Sequence, residues 1–119
     1  MIKENKAIFL DRDGVINRKR DDYVKSVNEL EIFPEIGESI WKLKKLGFLV
    51  IVITNQSAIN RGIITNQELE KIHMAIQRNL EKKHCNIDKF YFCPHRPDEN
   101  CNCRKPKSGL ILRAIEDFA

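Results

Sequence analysis

No apolar run in this sequence is long enough to cross a membrane. The longest, Phe48–Ile53, has six residues, where a span needs about 20. Ahead of the first acidic pair the N-terminus offers only the short apolar stretch Ala7–Leu10, which argues against a secretory leader and points to the cytoplasm. No internal repeat, low-complexity tract or linker breaks the chain. Aromatic residues are sparse, 8% of the total with a single Trp, and none alternates with a basic run, so a stacking platform for single-stranded nucleic acid is lacking. Charge of one sign is scarcely in excess: 21 basic against 17 acidic residues give +4, spread along the chain. That balance favours small anions at a local site and does not indicate nucleic acid.

What is present suits one soluble globular domain over residues 1–119. At 42% hydrophobic and 32% charged, the chain can build a core and is not of disordered composition. Short apolar runs alternate with amphipathic stretches. Ala7–Leu10 reads as a short buried strand ending at Asp11. Residues 35–46 place Ile36, Ile40, Leu43 and Leu46 on one helical face, with Pro34 suited to the first turn and Gly47 to the stop. Phe48–Ile53 reads as a strand covered on both faces. Thr65-Asn66-Gln67-Glu68 is a capping-box sequence that opens a helix with Leu69, Ile72, Ile76 and Leu80 on one side. Phe90–Phe92 reads as a third strand, and Ile111, Ala114, Ile115 and Phe118 as the stripe of a last helix. Residues 14–34 lack a helical period and suit a loop or small hairpin with Arg18, Lys19 and Arg20 exposed. Trp41 and the six Phe read as core or core-edge residues, His73 as packed, His84 as a helix-end residue and Cys85 as a free thiol.

Strands alternating with helices imply a parallel sheet. Ligands of such sheets lie beyond the carboxyl ends of the strands. The residues just past the strands are Asp11-Arg12-Asp13-Gly14, Thr54-Asn55-Gln56-Ser57 and Cys93-Pro94-His95, so three polar clusters are expected on one edge.

Alternation along a strand lets Asp11 and Asp13 point the same way. Two carboxylates at a strand mouth can hold a hard divalent cation such as Mg2+, with one free to attack phosphorus and the other to carry a proton. The same pair would also suit a solvated loop. A hydroxyl, an amide and backbone N–H groups at Thr54 and Asn55 can bind phosphoryl oxygens, or serve ordinary turn chemistry. Arg104 and Lys105 precede Pro106, which suits entry to the last helix. A fixed cation pair beside a helix N-terminus favours phosphate, and a solvated basic patch is the alternative. Cys93, His95, Cys101 and Cys103 fall within eleven residues, with Arg96–Asn100 between them containing no core-forming residue. Four such ligands suit a closed, structural Zn2+ site with no place for a catalytic water.

In this order the clusters resemble the haloacid-dehalogenase superfamily of phosphohydrolases. Within it they are similar to the branch that acts on heptose bisphosphates and histidinol phosphate. The resemblance rests on Ile8-Phe9-Leu10-Asp11-Arg12-Asp13-Gly14-Val15-Ile16-Asn17, Thr54-Asn55-Gln56-Ser57, Cys93-Pro94-His95 and Cys101-Asn102-Cys103-Arg104-Lys105-Pro106. It implies a three-layer, Rossmann-like α/β domain with a zinc-binding loop. It implies that Asp11 is the nucleophile forming an aspartyl-phosphate and Asp13 the acid/base, with Asp11 and the Asp13 carbonyl as Mg2+ ligands. Thr54 and Lys105 would steady the phosphoryl oxygens, and Arg104 would recognise substrate. Arg20, Asp21, Asp22 and Tyr23, with Thr54, Asn55, Gln56 and Ser57, match substrate-contacting segments. Cys93, His95, Cys101 and Cys103 match Zn2+ ligands. The implied reaction removes the 7-phosphate of D-glycero-D-manno-heptose 1,7-bisphosphate, favoured by Lys107-Ser108-Gly109-Leu110. Histidinol phosphate, or a zinc-stabilised binding module without catalysis, are the alternatives. The resemblance also implies a later strand beside the first one, ending in Gly-Asp and a further Asp that completes the Mg2+ site. No such segment occurs here, so the domain is expected to be truncated at its C-terminus, with the first strand left as an exposed edge.

Overall fold

The computed structural model describes residues 5–118, so the outermost ends of the expected domain, residues 1–4 and 119, lie outside the described residues. Three strands form one parallel sheet: β1 (Lys6–Leu10), β2 (Phe48–Asn55) and β3 (Lys89–Cys93), in the order β1-β2-β3. Leu10 pairs with Val52 and Asn55 with Cys93, so the three strand ends and the loops beyond them face one edge. Three helices pack on the sheet: α1 (Ile36–Lys45), α2 (Asn66–Glu81) and α3 (Gly109–Phe118).

β2 separates two cores. Its even residues Val50 and Val52 pack with Ile36 and Ile40 of α1 and with Ile72, Ile76 and Leu80 of α2. Its odd residues Ile51 and Ile53 pack with Leu110 and Ala114 of α3 and with Tyr91. A strand buried on both faces needs an unbroken apolar run, and the period of two then deals alternate residues to opposite layers. The result is the expected three-layer α/β architecture. The capping box at the start of α2 forms as read: the Thr65 hydroxyl accepts from the Glu68 N–H at 3.1 Å, and the Glu68 carboxylate accepts from the Thr65 N–H at 3.1 Å. No helix among the described residues is long and apolar enough to cross a membrane. β1 has β2 as its one strand partner among the described residues and so forms an edge of the sheet.

Several local expectations are corrected. β2 continues two residues past Ile53, which places Thr54 and Asn55 on the strand itself. α1 stops at Lys45, so Leu46 caps it and is largely exposed instead of joining the stripe. Pro34 lies before the N-cap, Glu35. The buried line of α3 is Leu110 and Ala114 with Ile111 and Phe118 beside it, and Ile115 turns outward. Trp41 is exposed, its ring covered by the Lys45 ammonium at 5.2 Å. α3 begins at Gly109, three residues after Pro106, so Arg104 and Lys105 sit on a separate turn ahead of the helix. Residues 14–34 form the expected loop with a small antiparallel bridge, Asn17 to Ile32, and a single 3-10 turn at Val27–Glu29.

Candidate active site

The site begins with the turn that ends β1. The Arg12 carbonyl accepts N–H groups from Val15, Ile16 and Asn17 at 2.8–3.2 Å, which folds the chain back directly behind the strand. Gly14 takes φ +88°, a left-handed conformation that a side chain would strain. Alternation then sends Arg12 inward, where it is 1% exposed, and leaves Asp11 and Asp13 partly open at the mouth.

The two carboxylates have different surroundings. Both oxygens of Asp13 are occupied. Oδ1 accepts from Arg12 Nη2 at 2.9 Å and Asn17 Nδ2 at 3.1 Å, and Oδ2 from Gln56 Nε2 at 2.8 Å. Burial pushes this carboxyl up, but the Arg12 charge and the hydrogen bonds from Arg12, Asn17 and Gln56 outweigh it, and Asp13 is held below its ordinary value. Asp11 has one oxygen on the Arg12 N–H at 2.7 Å and the other 2.9 Å from Lys105 Nζ. A carboxylate that stays partly open beside a cation is suited to meet an anionic phosphoryl group.

Lys105 is brought there by Asn55. The Asn55 side-chain carbonyl accepts the Lys105 N–H at 2.9 Å, and its amide donates to the Lys105 carbonyl at 3.3 Å. The end of β2 thereby brackets the backbone of the loop that carries the cation. Thr54, 1% exposed, has its hydroxyl 3.0 Å from Gln56 Nε2, so Gln56 joins Thr54 to Asp13.

Around these groups lies a cavity of about 430 Å³. Asp11, Asp13, Arg20, Asp21, Tyr23, Thr54, Asn55, Gln56, Ser57 and Arg104 all line it. Two residues of the expected set do not. Asp22 is turned away, its carboxylate paired with Arg20 and Lys25. Lys105 reaches Asp11 from beside the lining. Lys19 and Arg61 line the cavity as well, and sequence reasoning did not assign them a part in it. It also missed Arg12 and Asn17, whose types beside an Asp-x-Asp pair give no sign of burial.

The second cluster forms at the end of β3: Cys93 is its last residue, His95 lies two residues on, and Cys101 and Cys103 return eight and ten residues after Cys93. Cys93 Sγ lies 3.6 Å from Cys101 Sγ and 3.0 Å from Cys103 Sγ, and His95 Nδ1 lies 3.3 Å from Cys93 Sγ and 3.2 Å from Cys103 Sγ. All four donor atoms fall within 4.8 Å of one another. Three thiols and an imidazole gathered this closely are the donor set that a four-coordinate structural Zn2+ takes. The thiols are not joined as disulfides. The loop is fastened to α3 at Gly109, whose N–H donates to the Asn102 carbonyl at 3.0 Å, and a Cβ there would collide with that same carbonyl. Arg104 follows Cys103 directly, and its Nη1 donates to the His95 carbonyl at 3.2 Å. The metal-type cluster and the basic rim of the cavity are therefore one short stretch of chain.

For a hard cation, Asp11 and Asp13 offer oxygen donors of the right kind. Among the described residues no third carboxylate joins them. Among the described residues, the one group of three or more His, Cys, Asp or Glu side chains close enough to share a metal is the Cys/His cluster.

The architecture and the Asp-x-Asp mouth are those of a haloacid-dehalogenase-like phosphatase domain. A heptose bisphosphate phosphatase from B. bronchiseptica, crystallised with magnesium and phosphate, superposes with a TM-score of 0.90 at 36% identity, over 95% of this chain and 63% of that one. Residues 6–119 match the polynucleotide kinase 3 phosphatase family, and the chain belongs to this haloacid-dehalogenase-like family. The D-glycero-beta-D-manno-heptose-1,7-bisphosphate 7-phosphatase of Helicobacter pylori is 47% identical over 118 residues, 98% of this chain and 67% of that protein. The protein of the same description from Neisseria meningitidis is 45% identical over 113 residues, 95% of this chain and 60% of that protein. The chain thus spans 60–67% of the length of these relatives.

Proposed function

We propose that the protein is a phosphomonoesterase that removes the 7-phosphate of D-glycero-D-manno-heptose 1,7-bisphosphate by way of Asp11. The observation that carries this reading is the setting of Asp11. It is a carboxylate at the mouth of β1, open to a cavity rimmed by Arg61, Arg104 and Lys19 and held 2.9 Å from Lys105.

An Asp11 oxygen attacks phosphorus as the bond from phosphorus to the sugar oxygen breaks. Asp13, ionised in the free enzyme, takes up a proton from solvent as the anionic substrate binds beside it and gives that proton to the leaving alkoxide, and the phosphoryl group rests on Asp11. Asp13, now a carboxylate, accepts a proton from water as that water attacks phosphorus, and inorganic phosphate leaves with Asp11 restored. Lys105 and the Thr54 hydroxyl steady the phosphoryl oxygens, and Asn55 keeps Lys105 in place. Arg12, Asn17 and Gln56 fix Asp13 so that its carboxyl faces the mouth. Asp11 and Asp13 would hold Mg2+, which when bound offsets the repulsion between a carboxylate and a phosphate dianion. Cys93, His95, Cys101 and Cys103 would hold a structural Zn2+ that sets the direction of Arg104 and Lys105. A cytoplasmic location and a small phosphorylated substrate, with no nucleic acid or membrane partner, complete the reading.

Phosphate release by the purified protein from a panel of phosphomonoesters tests it. Heptose 1,7-bisphosphate is expected to be the best substrate, with turnover that requires Mg2+. Preference for histidinol phosphate would reassign the substrate, and no turnover of any member would leave the zinc-stabilised binding module as the better account.

A further inference from the structure

Behind the mouth, the buried Arg12 makes a contact that the reaction as described does not use. Its Nη2 donates to Asp13, and its Nη1 lies 3.1 Å from Nε2 of His73, on the inner face of α2. Sixty-one residues separate the two in sequence. The Arg12 Nε is buried without a hydrogen-bond partner, so the polar contacts that orient the guanidinium are those of its two Nη groups. His73 is itself fixed. It is 8% exposed, and its ring stacks on Phe90 of β3 with centroids 4.2 Å apart and planes 10° apart.

We infer that His73 is a positioning residue for Asp13, acting through the fork of Arg12. This rests on the reading of Asp13 as the acid/base. A guanidinium gripped at one Nη only can swing about its Cδ–Nε bond, and the donor on Asp13 Oδ1 moves with it. A neutral acceptor at position 73 stops that rotation without cancelling the charge that Asp13 needs. Burial and the adjacent Arg12 charge hold the imidazole down at about 3, so the ring is neutral at neutral pH, and the Arg12 donor 3.1 Å from Nε2 favours the tautomer that leaves this lone pair bare. A carboxylate at 73 would compete for the guanidinium, and an aliphatic group would leave one Nη buried and unsatisfied. Asn17 and Gln56 still hold Asp13 when His73 is removed, so the expected loss is partial.

The test compares His73→Leu with His73→Gln, whose side-chain carbonyl can accept the same hydrogen bond. Against the best phosphomonoester, His73→Leu is expected to lower kcat about tenfold with KM changed less than about twofold, because the geometry of proton transfer is disturbed and binding is not. His73→Gln is expected to recover most of that loss. Nitrogen-15 spectra of the wild-type protein without metal are expected to show His73 protonated on Nδ1 and bare on Nε2 at pH 7. The Asp13 carboxyl carbon-13 signal is expected to move in His73→Leu and to stay in place in His73→Gln. A ring protonated on Nε2, or a His73→Leu protein with unchanged kcat and an unmoved Asp13 signal, would overturn the inference. If the wild-type protein hydrolyses no phosphomonoester, the proposed function fails, while the spectra still decide whether His73 positions Asp13.

Discussion

The β1 mouth and the Cys/His loop stand at the same edge of one sheet, on the strands either side of β2, yet they are organised by opposite means. At the mouth, the polar groups around Asp13 are held by the fold. The Arg12 carbonyl gathers three N–H groups, Asp13 has a donor on each oxygen, and the layer beneath is packed apolar core. In the loop, Arg96–Asn100 contributes no buried residue, and the four metal-type donors converge, with Cys93 and Cys103 resting on the α3-side core. A region built on a core keeps its shape whatever binds there. A region built on four donors takes its shape from what they hold, and a structural Zn2+ contributes on the order of 10 kcal/mol of apparent binding free energy. The two regions meet at Lys105, whose backbone is bracketed by Asn55 from the core side and tethered through Arg104 to Cys103 from the other.

The largest effect is expected at the mouth. Asp11→Asn should abolish phosphate release, a loss of at least about 10³-fold, since an amide is a poor nucleophile and a weak metal ligand. Its thermal midpoint should change little, because Asp11 is half open to solvent. Steady-state rates and a melting curve on the same sample check both halves. Unfolding by this substitution would mean that the mouth depends on its charges more than on its core.

Removing metal from the loop should act locally and spread through Lys105. Chelation, or Cys101→Ser, is expected to raise hydrogen exchange across residues 93–105 and to weaken phosphate binding, leaving exchange in β1 and α2 unchanged. Less than about half an equivalent of zinc in protein purified without chelators would contradict the closed four-ligand site.

Much of this division is legible in the residues. The run Phe48–Ile53 announces a strand buried on both sides, and Thr65 with Glu68 announces the start of α2, because these signals are local. The four ligands are equally plain, since metal chemistry depends on residue type and short spacing. What escapes is decided by distant contacts. Nothing near Arg12 indicates that a helix will bring His73 to it, and a charged residue between two Asp reads as solvated. Leu46, Ile115 and Trp41 carry apolar side chains at helical spacing, and their exposure follows from where α1 ends and how α3 is rotated on the sheet. The missed start of α3 has the same origin. Pro106 suits a first turn, but Gly109 is held by the Asn102 carbonyl and fixes the helix there.

Acid should separate the regions further. His73 is held at about 3 in the folded protein against an ordinary value of 6.5. Between those values the unfolded chain takes up a proton that the folded one refuses, so stability falls as pH drops through this window, by roughly 2–3 kcal/mol at pH 4.5. Asp13, held below its ordinary 3.8, contributes stability that is present above that value and is lost as pH falls under it. Denaturant midpoints of wild type and His73→Gln from pH 7 to 4.5 check the first part. The slope of the variant should be shallower, and equal slopes would place the acid sensitivity elsewhere. The smallest effect is expected at the start of α2, outside the cavity lining. Thr65→Ala removes the hydroxyl of the α2 capping box and should cost about 1 kcal/mol with kcat unchanged.

The central claim is that Asp11 is the group that accepts phosphorus. Asp13→Asn removes the base that would activate water, and p-nitrophenyl phosphate needs no acid to leave, so together they should let the phosphoryl group accumulate on the enzyme. Quenching that mixture and reducing it with borohydride converts an acyl phosphate to an alcohol, which peptide mass spectrometry locates by residue. The account predicts homoserine in place of Asp11, in amounts that rise with substrate and disappear in Asp11→Asn. Reduction at another carboxylate, or substrate turnover with no modified residue at position 11, would contradict it.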